Sequence, residues 1–215
     1  MSRIIGVDID GVLADLELPI KLAIEKEFGV KPDEQKRDEY YMHDRFNIDP
    51  KAMRIFLDEL FYTPGFWASA EPFYDNIYAL ANHRGFDIIL ITGRDNSART
   101  ETIEWLYNKC SYFTWRGLLM NTLQLKHQAL KFCGASAMIE DRYAEAATIA
   151  AKGFNSYLIE THYNREFKGR DDGVVWVRDI ADALKREGLQ VPMAVSKRSA
   201  TVQYMQQKAV HGGDN

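Results

Sequence analysis

The sequence has little of three features that mark whole classes of protein. Its 215 residues include only two cysteines, Cys110 and Cys133, which are too few and too far apart for a disulfide framework or a zinc site. No apolar run approaches the roughly 18 residues of a membrane-spanning helix. Strand-like sequence begins at Arg3, which leaves no room for a signal or transit peptide. We therefore expect a soluble cytoplasmic protein whose two thiols are buried and reduced.

The chain also lacks an excess of positive charge. It has 27 lysines and arginines against 31 aspartates and glutamates, a formal net charge of −4 at pH 7. Binding to the backbone of duplex nucleic acid requires a basic surface, which argues against a nucleic-acid partner without excluding one. The composition is otherwise ordinary, and the length fits one domain, or one domain with an insert.

Apolar runs typical of short buried strands alternate with helix-like segments along most of the chain. We predict strands at residues 4–7, 87–91, 137–139, 156–159 and 174–177, and helices at residues 74–83, 99–108, 125–132 and 143–152. This alternation favours an α/β fold with a doubly wound, Rossmann-like parallel sheet. In such sheets, ligands bind at the carboxyl ends of the strands.

Residues 16–72 interrupt the alternation, with helix-like segments and turn signals but no convincing strand. We predict a core domain of residues 1–15 and 73–189, with residues 16–72 inserted after the first strand as a helical cap. Extra helices packed on the core are the alternative. Residues 190–215 are polar, without a clear apolar stripe, and we expect a flexible C-terminal tail there.

Two carboxylates, Asp8 and Asp10, follow the first predicted strand and precede Gly11. A glycine at the strand end lets the backbone turn, so that both acids can face one pocket. Two close carboxylates are costly unless a cation lies between them or one stays protonated. The pair therefore favours a site for a hard cation such as Mg²⁺ with an acid/base group. An Asp-Gly turn without a function is the alternative.

A second candidate, Thr92-Gly93-Arg94, follows the strand at residues 87–91. The strand ends in a hydroxyl group, and the glycine after it lets a backbone N–H approach an anion closely. The Arg94 guanidinium can bind a phosphate with two parallel hydrogen bonds, or it can pair with a surface carboxylate. Thr-Gly is frequent at strand ends, so this motif is informative only together with the others.

A third candidate is the acid pair Glu140 and Asp141, which follows the strand at residues 137–139. Adjacent carboxylates repel each other, and the supply of oxygen ligands to Mg²⁺ would explain why both stand here. An exposed acidic turn before a helix N-terminus is the alternative.

These residues are similar to the motifs of the haloacid dehalogenase (HAD) superfamily of phosphotransferases. Residues 8–12, DIDGV, resemble its first motif. The stretch through Asp15 and the strand and His-Asn loop at residues 157–164 resemble its 5′(3′)-deoxyribonucleotidase branch. The resemblance covers residues 3–187 and places a cap where the insert lies. Arg94 departs from that branch, in which Ser and Pro tend to follow the threonine, and the departure leaves the substrate open.

The resemblance implies a phosphatase that works through an aspartyl-phosphate. Asp8 is expected to be the nucleophile, Asp10 the general acid/base, and Thr92 a hydrogen-bond donor to the transferring phosphoryl group. Lys126, which opens a predicted helix, matches the single lysine of the third motif, and Lys131 is the alternative.

The same resemblance implies the cofactor Mg²⁺, held by Asp8, Asp10 through its backbone carbonyl, Asp141 and, directly or through water, Glu140. The implied substrate is a small phosphomonoester, best matched by a nucleoside or deoxynucleoside monophosphate. Further candidates to bind it are Gly93, Arg94, Phe66 and Trp67. A polynucleotide 3′-phosphatase, a sugar phosphatase and a non-catalytic phosphate-binding regulatory protein are the alternatives. The oligomeric state does not follow from the sequence.

Overall fold

The computed structural model describes residues 3–189, and the predicted tail at residues 190–215 lies outside them. In chain order the strands are β1 (Arg3–Val7), β2 (Ala14–Asp15), β3 (Glu71–Pro72), β4 (Phe86–Ile91), β5 (Gly117–Leu119), β6 (Ala137–Glu140), β7 (Asn155–Ile159) and β8 (Val174–Val177). The α-helices are α1 (Glu17–Phe28), α2 (Met42–Phe46), α3 (Pro50–Phe61), α4 (Tyr74–Ala81), α5 (Arg99–Lys109), α6 (Lys126–Cys133), α7 (Tyr143–Ala151) and α8 (Ile180–Arg186).

Six of these strands form one parallel sheet in the order β5-β4-β1-β6-β7-β8. β1 lies inside the sheet, with Val7 opposite Leu90 of β4 on one side and opposite Ile139 of β6 on the other. From β1 the chain adds β4 and β5 on one side, and then returns to add β6, β7 and β8 on the other. This reversal creates a crevice at the carboxyl ends of β1, β4 and β6, where open parallel sheets bind their ligands.

Helices cover both faces of the sheet because side chains alternate along its strands. In β4, Leu90 packs toward α4, α5 and α8, whereas Ile91 packs toward α6 and α7. Gly6 in β1 allows α6 to come close, since a Cβ at this position would lie 2.7 Å from Leu130 of that helix. The predicted doubly wound α/β sheet is therefore confirmed.

Helices α1, α2 and α3 form an insert after the turn that follows β1. They share a hydrophobic cluster of their own around Ile24, Phe46 and Met53, separate from the clusters on the sheet. The insert leaves and rejoins the sheet domain through an antiparallel ribbon of β2 and β3, in which Ala14 pairs with Pro72. This arrangement is the helical insertion after the first strand that the sequence predicts.

Most of the predicted elements agree with the structure, and the differences are short strands. The five predicted strands and four predicted helices lie within two residues of the observed bounds. The prediction missed β5, because three half-exposed residues at the edge of the sheet make no apolar run. It also missed the ribbon, whose strands have two residues each.

None of the helices in the described part of the chain has the length and apolar character that a membrane span requires. Both cysteines are unpaired thiols; Cys110 is buried and Cys133 is half-buried. Burial raises the pKa of the Cys110 thiol to about 12, so this side chain packs as an uncharged group.

Candidate active site

The turn after β1 carries two acids past the end of the sheet. The carbonyl of Ile9 accepts hydrogen bonds from the N–H groups of Leu13 and Ala14, at 2.7 and 2.8 Å. Gly11 in this turn has a φ of +75°, and a Cβ there would lie 2.0 Å from Asp141 Oδ2. A side chain at residue 11 would therefore be strained and would also separate this turn from the loop after β6.

A buried lysine joins Asp8 to the acid pair at the end of β6. Lys126, the first residue of α6, places its Nζ 2.6 Å from Asp8 Oδ2 and 2.7 Å from Glu140 Oε2. Asp8 Oδ1 also accepts a hydrogen bond from the N–H of Ile9 at 2.8 Å. All three charged side chains are buried. The structure thus brings Lys126 to Asp8, and it leaves the alternative, Lys131, exposed on the same helix.

Negative charge accumulates around Asp8. Burial raises the pKa of the Asp8 carboxyl, although Lys126 opposes the shift. Burial and the Asp8 charge also raise the pKa of Glu140 well above its usual value and the pKa of Asp141 to about 7. Burial alone would lower the pKa of Lys126, but the carboxylates of Asp8 and Glu140 raise it.

The three acids present a donor set for a cation. Oxygen atoms of Asp8, Glu140 and Asp141 lie within 4.8 Å of one another. Three carboxylates against the single ammonium group of Lys126 leave an excess of negative charge when all are ionised. A divalent cation with oxygen ligands would relieve this repulsion, so the residues fit Mg²⁺.

Asp10 has a different partner, Arg94. Arg94 Nε lies 3.1 and 2.9 Å from the two carboxylate oxygens of Asp10, and Nη2 lies 2.6 Å from Oδ1. Nη1 donates to Thr102 Oγ1 of α5 at 3.1 Å. The sequence suggests a phosphate or a surface carboxylate as the partner of Arg94, and the structure places it against a carboxylate. Its carboxylate partner belongs to the site itself.

Thr92 and Gly93 directly follow β4 and line the same cavity as Asp8. The Thr92 hydroxyl accepts a hydrogen bond from the N–H of Arg94 at 3.2 Å, and a hydroxyl can donate one more. The Thr92 carbonyl accepts from Thr122 Oγ1 at 2.8 Å. These bonds fix the end of β4 against the loop that leads into α6.

A cavity of about 850 Å³ lies over these groups, between the sheet domain and the insert. Its size is typical of small-molecule sites, which occupy roughly 300–1,000 Å³. The insert contributes five aromatic side chains to the wall, and the loops after β6 and β7 contribute polar ones. The aromatic residues are Tyr40, Tyr41, Phe61, Tyr62 and Trp67, and the polar residues include Arg142, Thr161, His162 and Tyr163.

Of the two aromatic residues predicted to bind the substrate, the structure brings Trp67 to the cavity, and not Phe66. Phe66 is buried, with its ring 5.5 Å from that of Phe61 and 5.2 Å from that of Trp67. It lies behind the wall because a large apolar ring gains most from such a hydrophobic cluster. The Trp67 ring lies 4.6 Å from Arg94 Cζ.

The loop after β7 adds two groups that the sequence analysis did not assign. Tyr163 donates a hydrogen bond from its hydroxyl to Asp141 Oδ2. The Asn164 side chain donates from Nδ2 to the backbone carbonyl of Asp141 at 2.8 Å. Both bonds orient Asp141. The signal that could have found these residues is their place just after a parallel strand, at the edge where the acids lie.

A second network links the insert to the same loop. Arg45 of α2 donates from Nη1 to Glu17 Oε1 at 2.7 Å, and its Nη2 lies 3.1 Å from His162 Nε2. Arg45 is buried, and burial lowers the pKa of His162. No local pattern marks these residues, because Arg45 and His162 are 117 positions apart in the chain.

A doubly wound parallel sheet with an insert after β1, and with acids at the ends of β1 and β6, is a fold shared with hydrolases of the HAD superfamily. A family model described as 5′ nucleotidase, deoxy (pyrimidine), cytosolic type C protein matches residues 2–185, and the chain belongs to this family. The predicted superfamily, the resemblance to its deoxyribonucleotidase branch and the phosphatase class are therefore confirmed. No curated protein matches the chain at a significant level.

Solved structures show the same fold at low sequence identity. CbbY from Rhodobacter sphaeroides, in complex with phosphate, is 15% identical, with a TM-score of 0.52 over 85% of this chain and 96% of that one. L-2-haloacid dehalogenase from Xanthobacter autotrophicus is 10% identical, with a TM-score of 0.53 over 90% and 100%. A HAD-superfamily hydrolase, subfamily IA, from Geobacter sulfurreducens is 13% identical, with a TM-score of 0.50 over 86% and 96%. At such identities the likeness concerns the fold.

Proposed function

We propose that the protein is a Mg²⁺-dependent 5′-nucleotidase that hydrolyses nucleoside or deoxynucleoside monophosphates through an aspartyl-phosphate on Asp8. The observation that carries the proposal is the convergence of Asp8, Lys126, Glu140 and Asp141 at the carboxyl edge of the sheet in a member of this family. A cytoplasmic location is part of the proposal, and the family description supports it.

The proposed Mg²⁺ ligands are Asp8, Asp141 and the backbone carbonyl of Asp10. Glu140, whose oxygen atoms lie within the same cluster, would contact the ion directly or through water. When bound, the ion offsets the negative charge of the nucleophile and of the phosphoryl oxygens.

In the first step, an oxygen of Asp8 attacks phosphorus in line with the leaving group. The new bond joins Asp8 to phosphorus while the bond from phosphorus to the ester oxygen breaks. Asp10 donates its proton to that oxygen, so that an alcohol leaves instead of an alkoxide. The Lys126 ammonium, the Thr92 hydroxyl and the Gly93 N–H stabilise the charge on the transferring phosphoryl group.

In the second step, water attacks the phosphorus of the aspartyl-phosphate. Asp10, which lost its proton in the first step, now takes one from this water. The bond between Asp8 and phosphorus breaks, and inorganic phosphate leaves. The two steps together return both aspartates to their starting states.

The cavity supports a substrate of the size of a mononucleotide. Its volume of about 850 Å³ accommodates a nucleoside beside the phosphate, and its wall carries aromatic rings on which a base can stack. We assign the base contact to Tyr40 and Tyr41, which are partly or largely exposed, in preference to the buried Phe66. We also propose the domain division at residues 16 and 72, because the insert has its own hydrophobic cluster.

Phosphate release tests the proposal. The substrates are ribo- and deoxynucleoside 5′- and 3′-monophosphates, 3′-phosphorylated oligonucleotides and sugar phosphates, each with Mg²⁺ and with EDTA. We expect Mg²⁺-dependent release with the highest kcat/KM for nucleoside 5′-monophosphates. A preference for oligonucleotides or sugars would overturn the nucleotidase assignment and keep the phosphatase. Binding of Mg²⁺ and phosphate without any turnover would indicate a non-catalytic protein.

A further inference from the structure

Arg94 makes contacts on three sides of its guanidinium group. Nε and Nη2 approach Asp10, with Nε 2.9 Å from Oδ2 and Nη2 2.6 Å from Oδ1. Nη1 donates to Thr102 Oγ1 at 3.1 Å. The Trp67 ring covers one face, with its centroid 4.6 Å from Cζ. The Arg94 side chain has an exposed fraction of 0%, whereas that of Asp10 is 29%.

These contacts leave the guanidinium little freedom. A planar fork that meets both oxygens of a carboxylate fixes the relative orientation of the two groups. Thr102 is itself fully buried in α5, so the acceptor of Nη1 is rigid. Each nitrogen of Arg94 thus has a protein acceptor, and the fork points at Asp10.

We propose that Arg94 is a positioning residue for Asp10, held in place by Thr102 and Trp67, and that it sets the direction in which Asp10 transfers protons. This inference rests on the proposed function, in which Asp10 protonates the leaving oxygen. It assigns to Arg94 a role other than phosphate binding. Asp10 is partly exposed and follows the last residue of β1 by three positions, so without Arg94 its carboxyl group is free to rotate toward solvent.

The dependence of rate on the leaving group separates the two roles. A nucleoside leaves as a basic alkoxide and needs a proton, whereas p-nitrophenolate is a stable anion and needs little acid catalysis. In single-turnover measurements, we expect Arg94→Met to lower the rate constant of the first step, transfer of the phosphoryl group to Asp8, by about 100-fold for a deoxynucleoside 5′-monophosphate, within the usual range for general acid catalysis. For p-nitrophenyl phosphate we expect this first-step rate constant to fall by less than about tenfold, with the inhibition constant of inorganic phosphate unchanged for either enzyme.

Further variants test whether Arg94 acts through Asp10. In an Asp10→Asn background, Arg94→Met should lower the nucleotide rate little further, because the carboxyl group that Arg94 positions is already absent. Thr102→Val removes only the acceptor of Nη1 and should give the same substrate-dependent pattern with a loss of about 3-fold to 10-fold. Arg94→Lys, which keeps the charge without the fork, should recover part of the nucleotide rate. Arg116→Met, at a surface arginine paired with Asp87, is the control and should match wild type.

Equal losses on both substrates with weaker phosphate inhibition would overturn the inference and return Arg94 to phosphate binding. Additive losses in the Asp10→Asn background would overturn it as well. If Arg94→Met does not fold, Thr102→Val decides the question by the same substrate comparison. Failure of the proposed function is a separate result, since wild-type enzyme would then release no phosphate from nucleotides with Mg²⁺.

Discussion

Asp8 and Asp10 are separated by a single residue, and the protein surrounds them in opposite ways. Asp8 is buried beside Glu140 and Asp141, and Lys126 contacts both Asp8 and Glu140. Asp10 keeps an exposed fraction of 29% and forms a forked pair with one arginine. The surroundings of Asp8 place like charges around the proposed nucleophile, whereas the surroundings of Asp10 hold one partly exposed carboxylate in one orientation.

The two cations match these two tasks. Lysine is a compact charge with three donors on a flexible chain, so Lys126 can contact Asp8 and Glu140 at once. Arginine is a planar fork, so it fixes the plane of the carboxylate that it meets. The comparison teaches that adjacent acids in one turn acquire separate roles from the residues that later parts of the chain bring to them.

Substitution of Asp8 and substitution of Asp10 should stop the reaction at different steps. We expect Asp8→Asn to lower phosphate release below about 10⁻⁴ of wild type, as for other catalytic nucleophiles. Asp10→Asn should still react once with p-nitrophenyl phosphate and then stall, because the water that hydrolyses the intermediate lacks a base. A stopped-flow burst of p-nitrophenol, stoichiometric with the enzyme, checks this. A burst from Asp8→Asn, or activity near wild type, would contradict the covalent scheme.

Lys126→Met tests the contribution of the buried lysine to the acid cluster around Asp8. Removal of one partner from a buried ion pair costs about 3–5 kcal/mol, and the variant loses the charge that stabilises the phosphoryl group. We expect this destabilisation at pH 8, measured by urea unfolding of metal-free protein, with at least about a 100-fold loss of kcat. Arg94→Met should destabilise the protein less, because water can hydrate the partly exposed Asp10 carboxylate. Lys131→Met, on the exposed face of the same helix, is the control.

Tyr40→Ala tests whether the wall of the cavity contributes to binding separately from the two acids. The Tyr40 ring lies 5.6 Å from that of Tyr163 and 5.6 Å from Arg142 Cζ. We expect KM for nucleotides to rise about tenfold, which corresponds to about 1.4 kcal/mol of lost stacking and packing. KM for p-nitrophenyl phosphate should change less. Tyr107→Ala, at an exposed tyrosine of α5, should leave both constants unchanged, and an equal effect of the two variants would refute the assignment.

The smallest effect concerns stability in the absence of metal. The pKa of Asp141 is raised from 3.8 to about 7 by burial and by the Asp8 charge. Between these values the folded protein holds a proton that the unfolded chain has lost, so the free energy of unfolding falls as the pH rises. Because asparagine does not ionise, Asp141→Asn removes this pH-dependent loss in the free energy of unfolding.

We therefore expect Asp141→Asn to raise Tm in EDTA at pH 8 by about 2–4 °C, which corresponds to about 1 kcal/mol in a protein of this size. Below the unfolded pKa, at an acidic pH where both proteins fold, Tm should differ little. The exposed Asp171 provides a matched Asp171→Asn control in differential scanning fluorimetry. A lower Tm of Asp141→Asn at pH 8 would contradict the inference that repulsion between buried carboxylates destabilises the metal-free protein.

Local sequence predicted which edge of the sheet carries the candidate site, because each motif directly follows an apolar strand. Asp8, Thr92 and Glu140 could be placed at one edge from the alternation of strands and helices alone. The partner of Arg94 could not, since Asp10 is 84 positions away and any carboxylate would have satisfied the same reasoning. Tyr163 is another such case, because its bond to Asp141 depends on how the loop after β7 folds back over β6.

The ribbon of β2 and β3 has a practical consequence for engineering of this protein. It joins the insert to the sheet domain by two pairs of residues. Gly11, in the turn after β1, donates its N–H to the carbonyl of Ala14, one of those residues, at 2.9 Å. A chimera that receives a foreign insert must therefore keep Ala14–Asp15 and Glu71–Pro72 in register. A graft joined further toward β1 would change the turn that carries Asp10, and would alter the rate of reaction together with the choice of substrate.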